Sequence, residues 1–235
     1  MSTIKVILFD LWKTLVTSHC REPVWNLQKV VGHKFLIGDN GQEQFEPDDK
    51  FLEWCLTTPI ADPRHFLEQA ANRFGSRPQT DAVEQFQRII QGESGCVARF
   101  WDVNRTLASL REAGYELGVV SNLWPFPAEH IFEVHGLGEF FPRESRVYSF
   151  EVGHRKPDPE IFEDAARRFN VHPSQCLMVG DNLQADVIGA LKVGMNAALI
   201  DRPAEVPTDA VPTEALRLTN LEQLLPILVS SETAA

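Results

Sequence analysis

The sequence predicts an α/β protein: a doubly wound, mostly parallel sheet with an all-helical cap inserted after the first strand. Three observations carry this: short apolar runs that each end in a polar residue, segments of helical period between them, and a long early stretch of helical period with no buried strand. Ile4 to Phe9 is the first apolar run, patterned like a strand buried on both faces, and Asp10 ends it. Tyr115 to Val120 leads to Ser121-Asn122, Cys176 to Val179 to Gly180-Asp181, and Asn196 to Ile200 to Asp201. Between the runs, Asp102 to Ala113 places Val103, Leu107 and Leu110 on one face and stops at Gly114. Pro159 to Phe169 and Leu183 to Val193 repeat the pattern, so the alternation implies crossover helices on both faces of a parallel sheet. Helical candidates at Pro47 to Leu56, Pro63 to Phe74 and Asp81 to Gln91 fill the early stretch. The expected division is a core of residues 1–15 and 100–235 and a helical cap of residues 16–99. Beyond the last run, Pro203, Pro207 and Pro212 mark an irregular tail that completes the sheet edge before a short helix, Leu221 to Leu228.

At 235 residues, the chain can bury about 70% of its unfolded surface, enough for a core without covalent staples. A net charge of -11 is the wrong sign for neutralising nucleic-acid phosphates or anionic lipid, so neither is an expected partner. No apolar run approaches the ~20 residues of a spanning helix, and the N-terminal run is too short for a signal peptide. Cys20, Cys55, Cys96 and Cys176 form no C-x-x-C pair and read as reduced thiols. The expectation is a cytoplasmic protein, monomer or homodimer, acting on a small molecule. Trp25, Trp54, Trp101 and Trp124 are expected in the core and the cap interface, with Trp12 and Trp124 also placed to wall an apolar pocket.

In an open parallel sheet, ligands bind beyond the carboxyl ends of the strands, and separate strands here deliver Asp10, Ser121 and Asp181 to that edge. Singly, each reads more simply as a turn former or helix cap. Together, with Lys156 in a Arg-Lys-Pro-Asp-Pro loop and a further carboxylate at Asp186, they make a candidate site. Asp10 is a candidate nucleophile, and Asp10 with Asp181 a hard-oxygen set suited to Mg²⁺. Ser121 and Lys156 offer a hydroxyl donor and a positive charge to phosphoryl oxygens.

The chain resembles the haloacid dehalogenase-like (HAD) hydrolases in four stretches, in order: Asp10-Leu-Trp-Lys-Thr14, Val119-Val120-Ser121-Asn122, Gly153-His-Arg-Lys156-Pro, and Gly180-Asp181-Asn-Leu-Gln-Ala-Asp186. The resemblance implies a Rossmann-like core with a helical cap, and a Mg²⁺-dependent phosphatase working through an aspartyl-phosphate at Asp10. It implies Asp10, Asp181, Asp186 and the Trp12 carbonyl around the metal, with Thr14, Ser121, Asn122 and Lys156 binding the phosphoryl group. One position departs. Trp12 stands where phosphatases of the family carry a second Asp, the general acid and base, which tryptophan cannot replace. An aromatic residue there resembles the 2-haloacid dehalogenase branch, whose substrate needs no leaving-group proton. Asp181 argues the other way, since a metal-binding carboxylate suits a phosphate substrate. A third alternative is a phosphate-binding or regulatory protein with little turnover. His19, Glu151 and His154 are weaker candidates for the missing acid.

Overall fold

The computed structural model describes residues 3–18, 23–33, 35–37, 43–45, 48–60, 62–76, 78, 80–126 and 128–229. In chain order, β1 (Val6–Phe9) is followed by β2 (Val16–Ser18), α1 (Pro23–Val30), β3 (Phe35–Ile37) and β4 (Glu43–Phe45). Three helices come next, α2 (Asp49–Thr57), α3 (Pro63–Phe74) and α4 (Ala82–Gly95), and then β5 (Val97–Arg99). The remainder alternates: α5 (Val103–Glu112), β6 (Glu116–Ser121), α6 (Ala128–Val134), β7 (Arg146–Tyr148), α7 (Ser149–Val152), α8 (Pro159–Arg168) and β8 (Cys176–Gly180). After a π-helical stretch, Leu183–Ile188, the chain closes with α9 (Gly189–Lys192), β9 (Asn196–Ile200), β10 (Leu216–Leu218) and α10 (Leu224–Leu228).

The main sheet has the order β10-β9-β8-β1-β6-β7, and all its pairings are parallel. β1 lies at the centre because its four residues are apolar and wholly buried, as a strand covered on both faces must be. Its pleat divides the core. Ile7 and Phe9 join Leu117, Val119, Leu177 and Val179 on one face; Val6 and Leu8 join Val120, Cys176 and Met178 on the other. Register then fixes the site edge: Phe9 lies opposite Val119 on one side and Val179 on the other, so Asp10, Ser121 and Asp181 emerge together. This is the point where the strand order reverses, and the crevice there is a ligand site by geometry.

Helices α1 to α4 sit between β2 and β5, which pair antiparallel and form a two-stranded tie at the base of the insertion. Asp48 caps α2 by accepting from the Lys50 amide, and Asp62 caps α3 by accepting from the His65 amide with Pro63 behind it. Phe66 and Phe86 stack at 5.5 Å, and from the loop after β6 Phe126 meets them edge-on at 5.4 and 4.7 Å. Trp124 is 2% exposed and packs at 5.9 Å from Phe86, so this loop is keyed into the helical layer.

The insertion is not all-helical. β3 and β4 form an antiparallel hairpin, too short at three residues each to show a period. The sequence pattern also gives no sign of helices α1 and α6 or strands β2, β5 and β7; in β7 Arg146 is buried because its guanidinium bonds the Phe141 carbonyl and Glu129, which breaks the apolar pattern. Trp101 is 72% exposed rather than buried. Cys55 and Cys176 are free, but Cys96 is disulfide-bonded, so the expectation of four thiols fails and cytoplasmic location loses its support from cysteine usage. Among the described residues no helix is long and apolar enough to cross a membrane. His19, Cys20, Pro47 and the Trp25 side chain lie outside the described residues.

Candidate active site

Asp10 leaves the end of β1 with its amide bonded to the Val179 carbonyl at 2.9 Å, which holds the residue in the sheet's frame. The chain then turns sharply: the Leu15 and Val16 amides return to the Leu11 carbonyl at 3.0 Å, and the Lys13 amide bonds the Val16 carbonyl at 2.6 Å. That turn needs Lys13 at φ 57, a left-handed conformation costing a non-glycine residue about 1–2 kcal/mol. Trp12, half-buried, forms a bridge with Val16.

Lys156 is the electrostatic centre. Its ammonium donates to Asp10 Oδ1 at 2.6 Å and the Val120 carbonyl at 2.7 Å, and pairs with Asp186 Oδ1 at 2.7 Å. Two hydrogen bonds and one further ion-pair contact thus surround the ammonium, with only 3% of the residue exposed. Asn122 holds the Lys156 backbone from both sides, accepting its amide at 2.7 Å and donating to its carbonyl at 2.9 Å. Asn122 is thus tied to the loop that carries Lys156, using one of its side-chain donors and its side-chain oxygen.

Asp186 sits in the π-helical stretch, where its Oδ2 accepts the Asn182 amide at 2.9 Å, and Asn182 in turn caps the stretch by accepting from Gln184 and Ala185. Asp186 approaches so closely that a Cβ on residue 180 would fall 2.3 Å from its Cγ, which is why that position is Gly180. Ligand atoms of Asp10, Asp181 and Asp186 lie within 4.8 Å of one another, a set of hard oxygens that fits Mg²⁺. The Thr14 and Ser121 hydroxyls are buried and have no hydrogen-bond partner. Buried donors left this way await an acceptor, and both belong to segments that end or follow strands at the same sheet edge as Asp10.

Burial pushes Asp10 up to about 7, with Asp186 and Asp181 adding to the rise and Lys156 opposing it. Asp181 rises to about 6 by burial and the nearby Asp186, against Lys13 and Lys156. Burial alone would lower Lys156, but Asp10 and Asp186 outweigh it and raise it above its ordinary value. Lys13 is the charge that sequence reasoning missed, although its place between Trp12 and Thr14 was in view. Of the weaker acid candidates, Glu151 pairs with Arg143 and exposed His154 faces Glu160 at 3.8 Å.

A stability prediction follows from these carboxylates. Their folded values lie above their unfolded ones, so the stability they allow is fully present below about pH 4 and is lost as pH rises through about 6 to 7. Metal-free protein is expected to be more stable to urea at pH 5 than at pH 8, by about 1–3 kcal/mol. Asp10→Asn should flatten that slope and Mg²⁺ should narrow it; a slope unchanged by both would contradict the crowding described.

Fold and site together define an α/β enzyme with a lysine-neutralised carboxylate centre at the switch point of its sheet. The chain belongs to the haloacid dehalogenase-like hydrolases: the family model matches residues 4–194. It is 36% identical over 203 residues to a glyceraldehyde 3-phosphate phosphatase of Methanopyrus kandleri, covering 85% of this chain and 84% of that one. Several further curated relatives align over about half of their own length. A 2-haloacid dehalogenase from Pseudomonas syringae superposes with a TM-score of 0.66 at 23% identity, covering 98% of this chain and all of that one. A HAD phosphatase from Thermococcus onnurineus superposes with a TM-score of 0.60 at 24% identity, covering 96% and 98%. At these identities the two structures establish the fold and leave the reaction open.

Proposed function

We propose that this chain is a Mg²⁺-dependent hydrolase of a small organic phosphate, with Asp10 as the nucleophile. The observation that carries this is the buried Asp10–Lys156 ion pair beside the carboxylates of Asp181 and Asp186, with the unpartnered Thr14 and Ser121 hydroxyls in segments at the same sheet edge. Identity to a named phosphatase over most of both chains supports the same reading. Asp10 attacks phosphorus, the ester P–O bond breaks, and the phosphoryl group rests on Asp10 until water releases it. Lys156, Ser121 and Thr14 would meet the phosphoryl oxygens, while Asn122 keeps Lys156 in place. Asp10, Asp181 and the Trp12 carbonyl would hold Mg²⁺, with Asp186 behind them. Bound there, the ion would neutralise charge between an anionic nucleophile and an anionic substrate. The helices of residues 16–99 would act as the cap that selects the substrate, closed against the core through Trp124 and Phe126.

Trp12 favours a second reading, 2-haloacid dehalogenase, in which Asp10 displaces halide from carbon and no acid or metal is needed. Assay of phosphomonoesters and 2-chloro acids, each with and without Mg²⁺, decides. Metal-dependent phosphate release is expected; metal-independent halide release, or ligand binding without turnover, would overturn the proposal.

The phosphatase reading leaves the departing oxygen without a protein acid, so its proton comes from water. Trp12→Asp is therefore expected to raise kcat for phosphate release by about 10-fold or more, since positioned acid–base help is worth ~10²–10⁴. An unchanged or lower rate in a folded Trp12→Asp protein would count against the missing-acid argument.

A further inference from the structure

A second buried ion pair grips the other end of the loop that follows Asp10. Asp102, wholly buried at the start of α5, receives both arms of the Arg202 guanidinium, at 2.9 and 3.1 Å. The arm that bonds Asp102 Oδ1 also donates to the Thr14 carbonyl at 2.8 Å. The guanidinium lies 3.7 Å over the Phe100 ring, and the Phe100 amide bonds the Leu15 carbonyl at 3.1 Å. On its far side Asp102 Oδ2 accepts the Leu221 amide at 2.7 Å. One fork thus joins the loop after β1, the strand-to-helix link at Phe100, the start of α5, the loop after β9 and the C-terminal segment.

We propose that Arg202, fixed by Asp102, is a positioning residue for the loop of residues 11–15, setting where Thr14 and the Trp12 carbonyl stand relative to Asp10. The inference rests on the reading of the Asp10 site given above. The physical case is one of strain and rigidity. Lys13 is held left-handed within this turn, and Thr14 keeps a buried hydroxyl with no partner, so nothing described at the site end anchors the Thr14 side chain. The anchor is the carbonyl on its other side. Arginine suits it because a planar fork can make two parallel bonds to one carboxylate while the same arm reaches a carbonyl, a bidentate geometry that a compact ammonium does not offer. A small displacement of such a loop is costly to turnover, since misplacement by about 1 Å can lower a rate ~10²-fold.

The test uses the full chain with two variants. Arg202→Lys keeps the charge and loses the fork; Asp102→Asn/Arg202→Met removes both charges, so neither is left buried and unpaired if the first variant fails to fold. In either variant, amide hydrogen exchange at residues 13–16 is expected to quicken about 10-fold or more, while β8 stays protected. For p-nitrophenyl phosphate with Mg²⁺, kcat is expected to fall about 10-fold or more with KM within about threefold, the division expected when transition-state contacts are misplaced. A loss of melting temperature with kcat per folded molecule and loop exchange both unchanged would overturn the proposal. If the unaltered protein hydrolyses no phosphate ester, the reading of the site fails, and the exchange at residues 13–16 still decides the positioning role.

Discussion

Asp10→Asn is expected to lower phosphate release by about 10⁴-fold or more, the scale seen when a nucleophile is removed from an otherwise intact site. The amide keeps the shape of the carboxyl and can still accept from Lys156, so the loss is one of chemistry and not of folding. Stability should move the opposite way. Asp10 is buried and raised to about 7, so at pH 8 the folded chain carries a charge its surroundings disfavour. Removing that charge is expected to leave the melting temperature of the metal-free protein at pH 8 unchanged or raised by several degrees. Together, lost turnover and kept stability mark a residue retained for function at a thermodynamic cost. Phosphate-release kinetics and thermal melts at pH 5 and pH 8 check both halves; turnover within tenfold of the unaltered protein would place the nucleophile elsewhere.

The same physics decides what could be read from the chain alone. Asp10, Ser121 and Asp181 were legible because each ends an apolar run, and a buried parallel strand writes itself as such a run. Parallel pairing follows, since the helical segments between runs force crossovers, whereas the strand order does not. Lys156 and Asp186 were legible through resemblance, because no local pattern sends a lysine ammonium onto three acceptors from three different elements. The clamp of Asn122 on Lys156 spans 34 positions and the pairing of Arg202 with Asp102 spans 100, so neither leaves a periodic trace. Short strands such as β7 stay hidden for a related reason: beside buried Val147 and Tyr148, Arg146 is buried through its partner Glu129, which breaks the apolar run. Trp101 shows the converse. Composition makes a tryptophan a core residue by default, and only the path of the chain from β5 into α5 leaves this one in solvent.

Lys156→Met is expected to damage folding and turnover together, which separates it from Asp10→Asn. The substitution leaves Asp10 and Asp186, 9% and 2% exposed at the side chain, facing each other without the cation between them. Breaking a buried pair from one side costs about 3–5 kcal/mol, because the remaining charge is stranded. Here the cost depends on pH. Loss of Lys156, which holds the Asp10 value down, pushes it further above about 7, so near pH 5 Asp10 keeps its proton and the penalty is small, and it grows as pH rises. Urea denaturation of Lys156→Met should therefore show a larger deficit at pH 8 than at pH 5, and phosphate release at either pH should fall by about 10²-fold or more. Lys156→Arg is expected to rescue little. The ammonium holds Asp10 and the Val120 carbonyl by hydrogen bonds and Asp186 by an ion pair, all within 2.6 to 2.7 Å, a convergence that a planar guanidinium cannot reproduce in the same space. Full activity in Lys156→Arg would mean that only the charge matters, and the role given to the three-way contact would fall.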